Sequence, residues 1–152
     1  MRQVLRNNRT FNGTRRENKA ASALNAADLV ERTASGLQSQ STDGEVLETV
    51  LVAEDARGRG YVAGDEYAAD ELVPYLECNS GDLVTLRLAD GESVTGGEKA
   101  ASPTQLVADG TGGVRAFNSG GGDTEDMVVA VADETLNNTS GSRALLDAKV
   151  TR

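Results

Sequence analysis

The side chains of this chain that could do chemistry are almost all carboxylates, and many occur in adjacent pairs. Paired carboxylates serve in acid–base catalysis and bind hard cations through oxygen. Adjacent residues of a strand point to opposite faces, however, and none of the pairs has the spacing of an EF-hand. We interpret the pairs as solvated surface, with weak cation binding as the alternative, and expect no catalytic residue and no metal site. The acidic groups are Glu54-Asp55, Asp65-Glu66, Asp70-Glu71, Asp133-Glu134 and the trio Asp123, Glu125 and Asp126.

The residue types that the chain lacks narrow the chemistry further. It has no His and one cysteine, Cys78, which excludes a Ser-His-Asp triad, a His-ligated metal and an internal disulfide. Its glycine pairs fit neither the phosphate-binding P-loop pattern nor the dinucleotide-binding pattern. We therefore expect a protein that is not an enzyme and that binds no cofactor, with Cys78 as a half-buried structural thiol.

The charge of the chain is divided unevenly between a short N-terminal segment and the rest. The net charge is -9 over 152 residues, yet residues 1–19 hold six basic residues and one acid, which is +5. Residues 20–152 hold nine basic and 23 acidic residues, which is -14. We call residues 1–19 the basic arm and predict that it docks on a partner protein, including a second copy of the acidic body. The predicted docking residues are Arg2, Val4, Leu5, Arg6, Arg9, Phe11, Arg15 and Arg16.

Two alternatives for the basic arm stay open, namely contact with nucleic acid and a solubilising tail. Arginine neutralises phosphates, but that attraction falls steeply with salt. Salt matters because the composition is typical of proteins from extreme halophiles: only 3 of the 15 basic residues are Lys, and Asp and Glu are spread along the body. At molar salt the Debye length is about 3 Å, so the acidic surface is screened. We therefore favour protein docking over direct contact with nucleic acid; an ordinary acidic protein is the alternative to a halophilic one.

The elements that must position these residues follow from the pattern of apolar residues. Residues 20–34 contain good helix formers and predict one short helix, and residues 35–44 are rich in Ser, Gly and Gln and predict a linker. From residue 45 onward, strand-length apolar runs alternate with Gly, Asp and Asn clusters, among them Asp90-Gly91, which predicts a hairpin. The predicted strands are Val46–Ala53, Leu72–Glu77, Leu83–Leu88, Gln105–Ala108, Val114–Asn118, Met127–Ala132 and Arg143–Val150.

The strand pattern predicts a mainly β fold with a small β-barrel or sandwich body at residues 45–152. The preceding residues 1–44 would supply an extended N-terminal arm, one short helix and a linker. Even positions of Leu83–Leu88 are apolar, so Val84, Leu86 and Leu88 should face the core. The apolar runs are too short to span a membrane, and no secretory signal is evident.

The order and texture of several strands resemble the decoration, or capsid cement, proteins of tailed double-stranded DNA viruses. The residues that carry this resemblance are Gly81–Leu86, Val94-Thr95, Gly113–Ala116, Met127–Glu134 and the last strand to Val150. In that family a strand of the type Gly-Asp-x-Val-x-Leu, a Gly-Val strand and a late Val-rich strand build a compact barrel. The acidic, lysine-poor composition suggests a virus of halophilic archaea.

The resemblance implies a virion structural protein that binds the outer surface of the major capsid lattice and stabilises the head. Its partners would be the major capsid protein and copies of itself, as a homotrimer on the capsid exterior. Many weak contacts, linked together, would supply the adhesion. The alternatives are a head–tail connector or tail-tube subunit of a tailed virus, and a cellular acidic β-domain that acts as a binding module.

Overall fold

The computed structural model describes Val4 and residues 11–55 and 66–152, and in these residues the chain is built almost entirely of β-strands. The described residues contain two short 3-10 helices, at Ser119–Gly121 and Glu125–Met127, and no α-helix. None of their helices is long and apolar enough to cross a membrane. The strands are β1 (Thr14–Lys19), β2 (Leu24–Asn25), β3 (Val30–Thr33), β4 (Gly36–Ser39), β5 (Val50–Ala53), β6 (Glu66–Tyr67), β7 (Leu72–Cys78), β8 (Leu83–Leu88), β9 (Ser93–Val94), β10 (Gln105–Ala108), β11 (Val114–Ala116), β12 (Val128–Ala132), β13 (Leu136–Asn137) and β14 (Ala144–Val150).

A closed five-stranded barrel forms the C-terminal part of the fold, in the order β10-β11-β8-β14-β12. The pairings are antiparallel except for β11 with β8, which is parallel. Val84, Leu86 and Leu88 are fully buried, as the alternation in the sequence predicts. The prediction of a mainly β fold with a small barrel is therefore confirmed, and each of the seven predicted strand segments overlaps a strand.

The N-terminal half of the chain forms three further small sheets rather than a helix and a linker. β1, β7 and β5 make a three-stranded antiparallel sheet, β3 pairs with β4, and β2 pairs with β6. Buried residues on both sides of residue 44, such as Leu29 and Leu86, belong to one hydrophobic core. The chain that precedes the barrel is thus packed into the core that the barrel shares.

The prediction of a helix at residues 20–34 is wrong, because tertiary pairing overrides the local helix propensity. Leu24 pairs with Tyr67 of β6, and Leu29 forms a bridge with Val52 of β5. Between them Ala27 has a φ of 73°, a left-handed conformation that cannot continue a right-handed helix. Residues 26–30 are all buried, and the strand pairings on either side of Ala27 hold them in the core.

The predictions of a linker at residues 35–44 and of a hairpin at Asp90-Gly91 are also wrong. Gly36 has a φ of 130° and ends the turn that connects β3 to β4, so the Ser- and Gln-containing stretch is the return strand of a hairpin. The Asp90-Gly91 turn does exist, with Gly91 at a φ of 81°. The strand after it, β9, pairs with β13 instead of returning along β8.

A buried ionic centre joins the N-terminal sheets to the barrel. The Asp28 side chain is 1% exposed, and its Oδ1 lies 3.2 Å from Nε of Arg87 on β8 and 3.5 Å from Nη1 of Arg143. Its Oδ2 accepts hydrogen bonds from the Ser39 hydroxyl and the Asn25 amide. Burial raises the pKa of Asp28 and lowers the pKa of Arg87, since low polarity disfavours both charged forms. The two guanidinium groups supply the counter-charge that such a buried carboxylate needs.

Candidate functional site

Four of the eight predicted docking residues lie in the described part of the chain. Phe11 precedes β1, Arg15 and Arg16 lie on it, and Val4 is fully buried. The remaining four predicted docking residues, Arg2, Leu5, Arg6 and Arg9, lie outside the described residues. Docking of this segment on a partner stays a prediction; what the structure adds is how the segment sits on its own chain.

Strand β1 holds the basic arm at the edge of a sheet and leaves its side chains largely in solvent. Its six residues pair in unbroken antiparallel register with β7, from Thr14 opposite Glu77 to Lys19 opposite Leu72. None of the six is buried, and only Asn18 is even partly so. A polar, charged strand is the composition expected of a sheet edge, because charges there discourage indiscriminate pairing with other chains.

The basic side chains of β1 are matched one by one with acidic side chains of the body. Arg15 Nε lies 3.4 Å from Glu54 Oε1, and Lys19 Nζ lies 3.7 Å from Asp70 Oδ1. Arg16 donates from its Nε to Glu77, which raises the pKa of the arginine. The complementarity of arm and body that the charge division indicates therefore occurs within one chain.

An aromatic contact adds to this arrangement at the start of the strand. The Arg15 guanidinium lies 5.6 Å from the centre of the Phe11 ring, a cation–π distance. Phe11 itself packs against the hydrophobic core from its edge. The side chains of Arg15 and Arg16 remain 48% and 50% exposed, so each presents half of its surface to solvent.

Buried carboxylates hold the backbone of the arm as well as its side chains. Asp82 is fully buried, and its Oδ1 accepts a hydrogen bond from the Asn12 amide at 2.7 Å. The Asn79 side chain donates to the Asn12 carbonyl at 2.7 Å, so both backbone groups of Asn12 are engaged. Together these two contacts hold the backbone of the arm at Asn12 against the turn that follows β7.

The first described residue of the chain is held in the same way between the two parts of the fold. The Val4 amide donates to Oδ1 of Asp55 at 3.1 Å, and the Val4 carbonyl accepts from the Thr85 amide on β8 at 2.7 Å. Val4 was predicted as an apolar anchor on a partner, and in this structure its side chain is buried in its own chain.

Sequence reasoning did not single out the acids that receive the arm. The prediction that Glu54 and Asp55 are a solvated pair is wrong, because both are buried, and Asp82 entered only as part of the Gly-Asp-x-Val-x-Leu strand pattern. The one signal available was position: Asp82 follows the Asn79-Ser80-Gly81 turn, where an Asp side chain commonly accepts a backbone amide. It does so here, accepting from the Asn79 amide at 2.8 Å.

A cleft at the barrel surface gathers a second set of charged residues. It has a volume of about 530 Å³. Arg115 forms two hydrogen bonds with Asp123, at 2.6 and 2.7 Å, and one with Asp43 at 2.8 Å. The bond to Asp123 raises the pKa of Arg115, and the same bond lowers the pKa of Asp123. The residues that line the cleft are Asp43, Glu92, Arg115, Ala116, Phe117, Asn118, Gly121 and Asp123.

The remaining chemical candidates occupy structural positions. Cys78 is buried at the end of β7, and burial raises the pKa of its thiol, which opposes formation of a reactive thiolate. Within residues 11–55 and 66–152, no group of three or more metal-ligating side chains is close enough to hold an ion. The Arg-Gly stretch at residues 57–60 lies outside the described residues.

Comparison with known proteins gives a likeness in structure. No protein-family model and no curated protein matches the sequence. Among solved structures, the N base of the head fibre gp8.5 of bacteriophage phi29 matches with a TM-score of 0.55 and 12% sequence identity. The match covers 91% of this chain and 94% of that chain. At this identity the likeness establishes a shared fold that extends over nearly the whole length of both chains.

Proposed function

We propose that this chain is a structural protein of a tailed-virus head, bound to the outer surface of the major capsid lattice, where it stabilises the shell. The observation that carries the proposal is the fold shared with a phage head-fibre base over 91% of the chain. The same class of protein was suggested independently by the order of the strand patterns in the sequence. The proposed role is adhesion and needs no catalytic step.

The geometry of the arm supports this role. A capsid-bound protein has to present a rigid body to the lattice, and here buried carboxylates and edge pairing fix even the N-terminal segment to the core. The half-exposed guanidinium groups of Arg15 and Arg16 are the partner contacts that we propose on this surface. A bidentate arginine contact needs close geometry, so it tolerates the salt that screens long-range attraction.

The test is binding of the purified chain to assembled capsids of the major capsid protein encoded in the same genome. We expect the protein to sediment with assembled shells, to leave unassembled capsid protein unbound, and to raise the temperature at which the shells rupture. Cryo-electron microscopy of the decorated shells would then show density on the exterior. Density at the portal vertex or along a tail would overturn the proposal in favour of a connector or tail-tube subunit.

The arm contacts need point variants rather than a deletion, because removal of residues 1–19 would also remove strand β1 from its sheet. Arg16→Glu should weaken sedimentation with shells, whereas Arg152→Gln, at the other end of the chain, should not.

Binding to bare DNA equal to binding to shells would favour the nucleic-acid alternative. Retention of the fold in molar potassium chloride and its loss at low salt would support the halophilic source that the composition suggests.

A further inference from the structure

We infer that the groove that holds the basic arm is also a receptor for the arm of a second copy, so that neighbouring copies exchange residues 11–19. We call this groove the arm groove: the edge of β7 that β1 occupies, with the acids Glu54, Asp70, Glu77 and Asp82. The inference rests on the proposed function, since it assigns to the arm groove the self-association expected of a protein that coats a lattice.

The arm groove is built to recognise one segment in one register. Ion pairs from Glu54, Glu77 and Asp70 match Arg15, Arg16 and Lys19 in order along the strand. Upstream, Asp82 and Asn79 hold both backbone groups of Asn12. A shift of the arm by one residue would misplace all three ion pairs together, so the acidic side chains favour this register of the arm.

The arm is also held in a manner that makes it separable. No side chain of β1 is buried, so unpairing of the strand from β7 exposes no core side chain of its own. Phe11 and Val4, which precede the strand and pack in the core, leave together with the arm. The segment that can separate ends at Ala20, which is fully buried and bonded through its amide to Glu71 and through its carbonyl to Asp70. The junction between Lys19 and Ala20 is therefore the place where an arm turns from its own groove towards a neighbour.

Exchange costs little because every contact is remade with the second copy. Exchange increases the number of links between copies. On a lattice, a neighbouring arm groove is present at an effective concentration of about millimolar, so linked copies gain avidity without new contacts. The net charges of +5 on residues 1–19 and -14 on the remainder favour approach of an arm to any copy of the body.

A pair of charge-reversed variants separates exchange from binding within one chain. Arg16→Glu and Glu77→Arg each place like charges in their own groove, whereas a mixture of the two restores opposite charges only between copies. Sedimentation of the mixture should show mixed oligomers, favoured about two- to five-fold over either variant alone. Equal association of the mixture and the separate variants would overturn the inference, as would a monomeric mixture.

A disulfide trap gives a second readout in the full chain. Glu17 lies opposite Pro74, and because Pro74 has no N–H this is a non-hydrogen-bonded pair, whose close Cβ atoms suit a disulfide. With Cys78→Ser as background, Glu17→Cys with Pro74→Cys should oxidise to covalent dimers and larger species on capsids or at high concentration. The control, Leu83→Cys with Lys149→Cys, links β8 to β14 inside the barrel and should give monomers.

A covalently linked monomer from the arm pair, under conditions that link the barrel control, would overturn arm exchange. That result would leave the proposed function standing, because binding to capsid shells is measured separately. Loss of shell binding with intact exchange would have the opposite meaning, and would count against the capsid role alone.

Discussion

Asp82 is the residue through which one substitution should release the basic arm from the barrel. Its carboxylate is fully buried and accepts the Asn12 amide of the arm at 2.7 Å and the Asn79 amide at 2.8 Å. In Asp82→Asn the side chain keeps its size, but its amide group faces one of these N–H donors and leaves it unpaired. The charge that strengthens both bonds is lost as well.

The expected cost follows from these two bonds. A hydrogen bond to a charged group contributes about 1.5–3 kcal/mol, and two bonds to one carboxylate are not fully additive. We therefore expect Asp82→Asn to lower the free energy of unfolding by about 2–4 kcal/mol. For a chain of this size that corresponds to a drop of about 1–2 M in the urea midpoint.

The assay is urea unfolding at neutral pH with Asp90→Asn as the matched control. Asp90 is an exposed turn residue whose carboxylate accepts one amide, that of Gly141, so its substitution should cost less than about 1 kcal/mol. Hydrogen exchange supplies the local readout: the Asn12 amide should exchange faster in Asp82→Asn even where the core amides remain protected. A midpoint shift no larger than that of Asp90→Asn, or an unchanged Asn12 amide, would refute the argument.

Three further predictions follow from the geometry. Asp123→Asn should lower the free energy of unfolding by about 1 kcal/mol at pH 7. Because the hydrogen bond from Arg115 lowers the pKa of Asp123 from 3.8, this difference from the wild type should disappear as the pH falls through and below that range. Urea titrations at several pH values would measure the difference. Cys78 should resist alkylation by iodoacetamide in the native protein and react after unfolding in urea, as mass spectrometry would show; equal rates in both states would contradict its burial. Gly13→Ala should lower the thermal midpoint because a Cβ there would collide with a backbone carbonyl of β7. Gly120→Ala, where a Cβ has room, should leave the thermal midpoint within a degree or two. Equal midpoints for the two variants would contradict the predicted collision at Gly13.

The strands of the barrel are the part of the fold that the sequence predicts best. Alternation in Leu83–Leu88 and the apolar run in Met127–Ala132 are local patterns, and a strand that packs one face on a core must show them. The turn residues between these strands are also local. Segment positions could therefore be read without knowledge of their partners.

The N-terminal half contains strands that local sequence patterns do not predict. Residues 20–34 have the composition of a helix, but Leu24 and Leu29 pair with strand residues more than twenty positions away in the sequence. Hydrogen bonds to a distant strand outweigh a propensity of a few tenths of a kcal/mol per residue. The pairing of β9 with β13 rather than β8 has the same origin, since a turn sequence does not specify which strand completes the sheet.

The amino-acid sequence is enough to establish that this chain carries a basic segment and an acidic body, and that it lacks the residues for a histidine-based site. Charge is a property of composition, so its division along the chain needs no fold. The place where the two charges meet depends on tertiary contacts, because the pairing of β7 with both β1 and β5 brings Arg15 and Arg16 next to Glu54 and Glu77. Asp82 and Asp28 are both buried, and a buried carboxylate needs a specific partner. Asp82 accepts a backbone amide and Asp28 pairs with a guanidinium, and the number of acidic residues in the sequence does not reveal either contact.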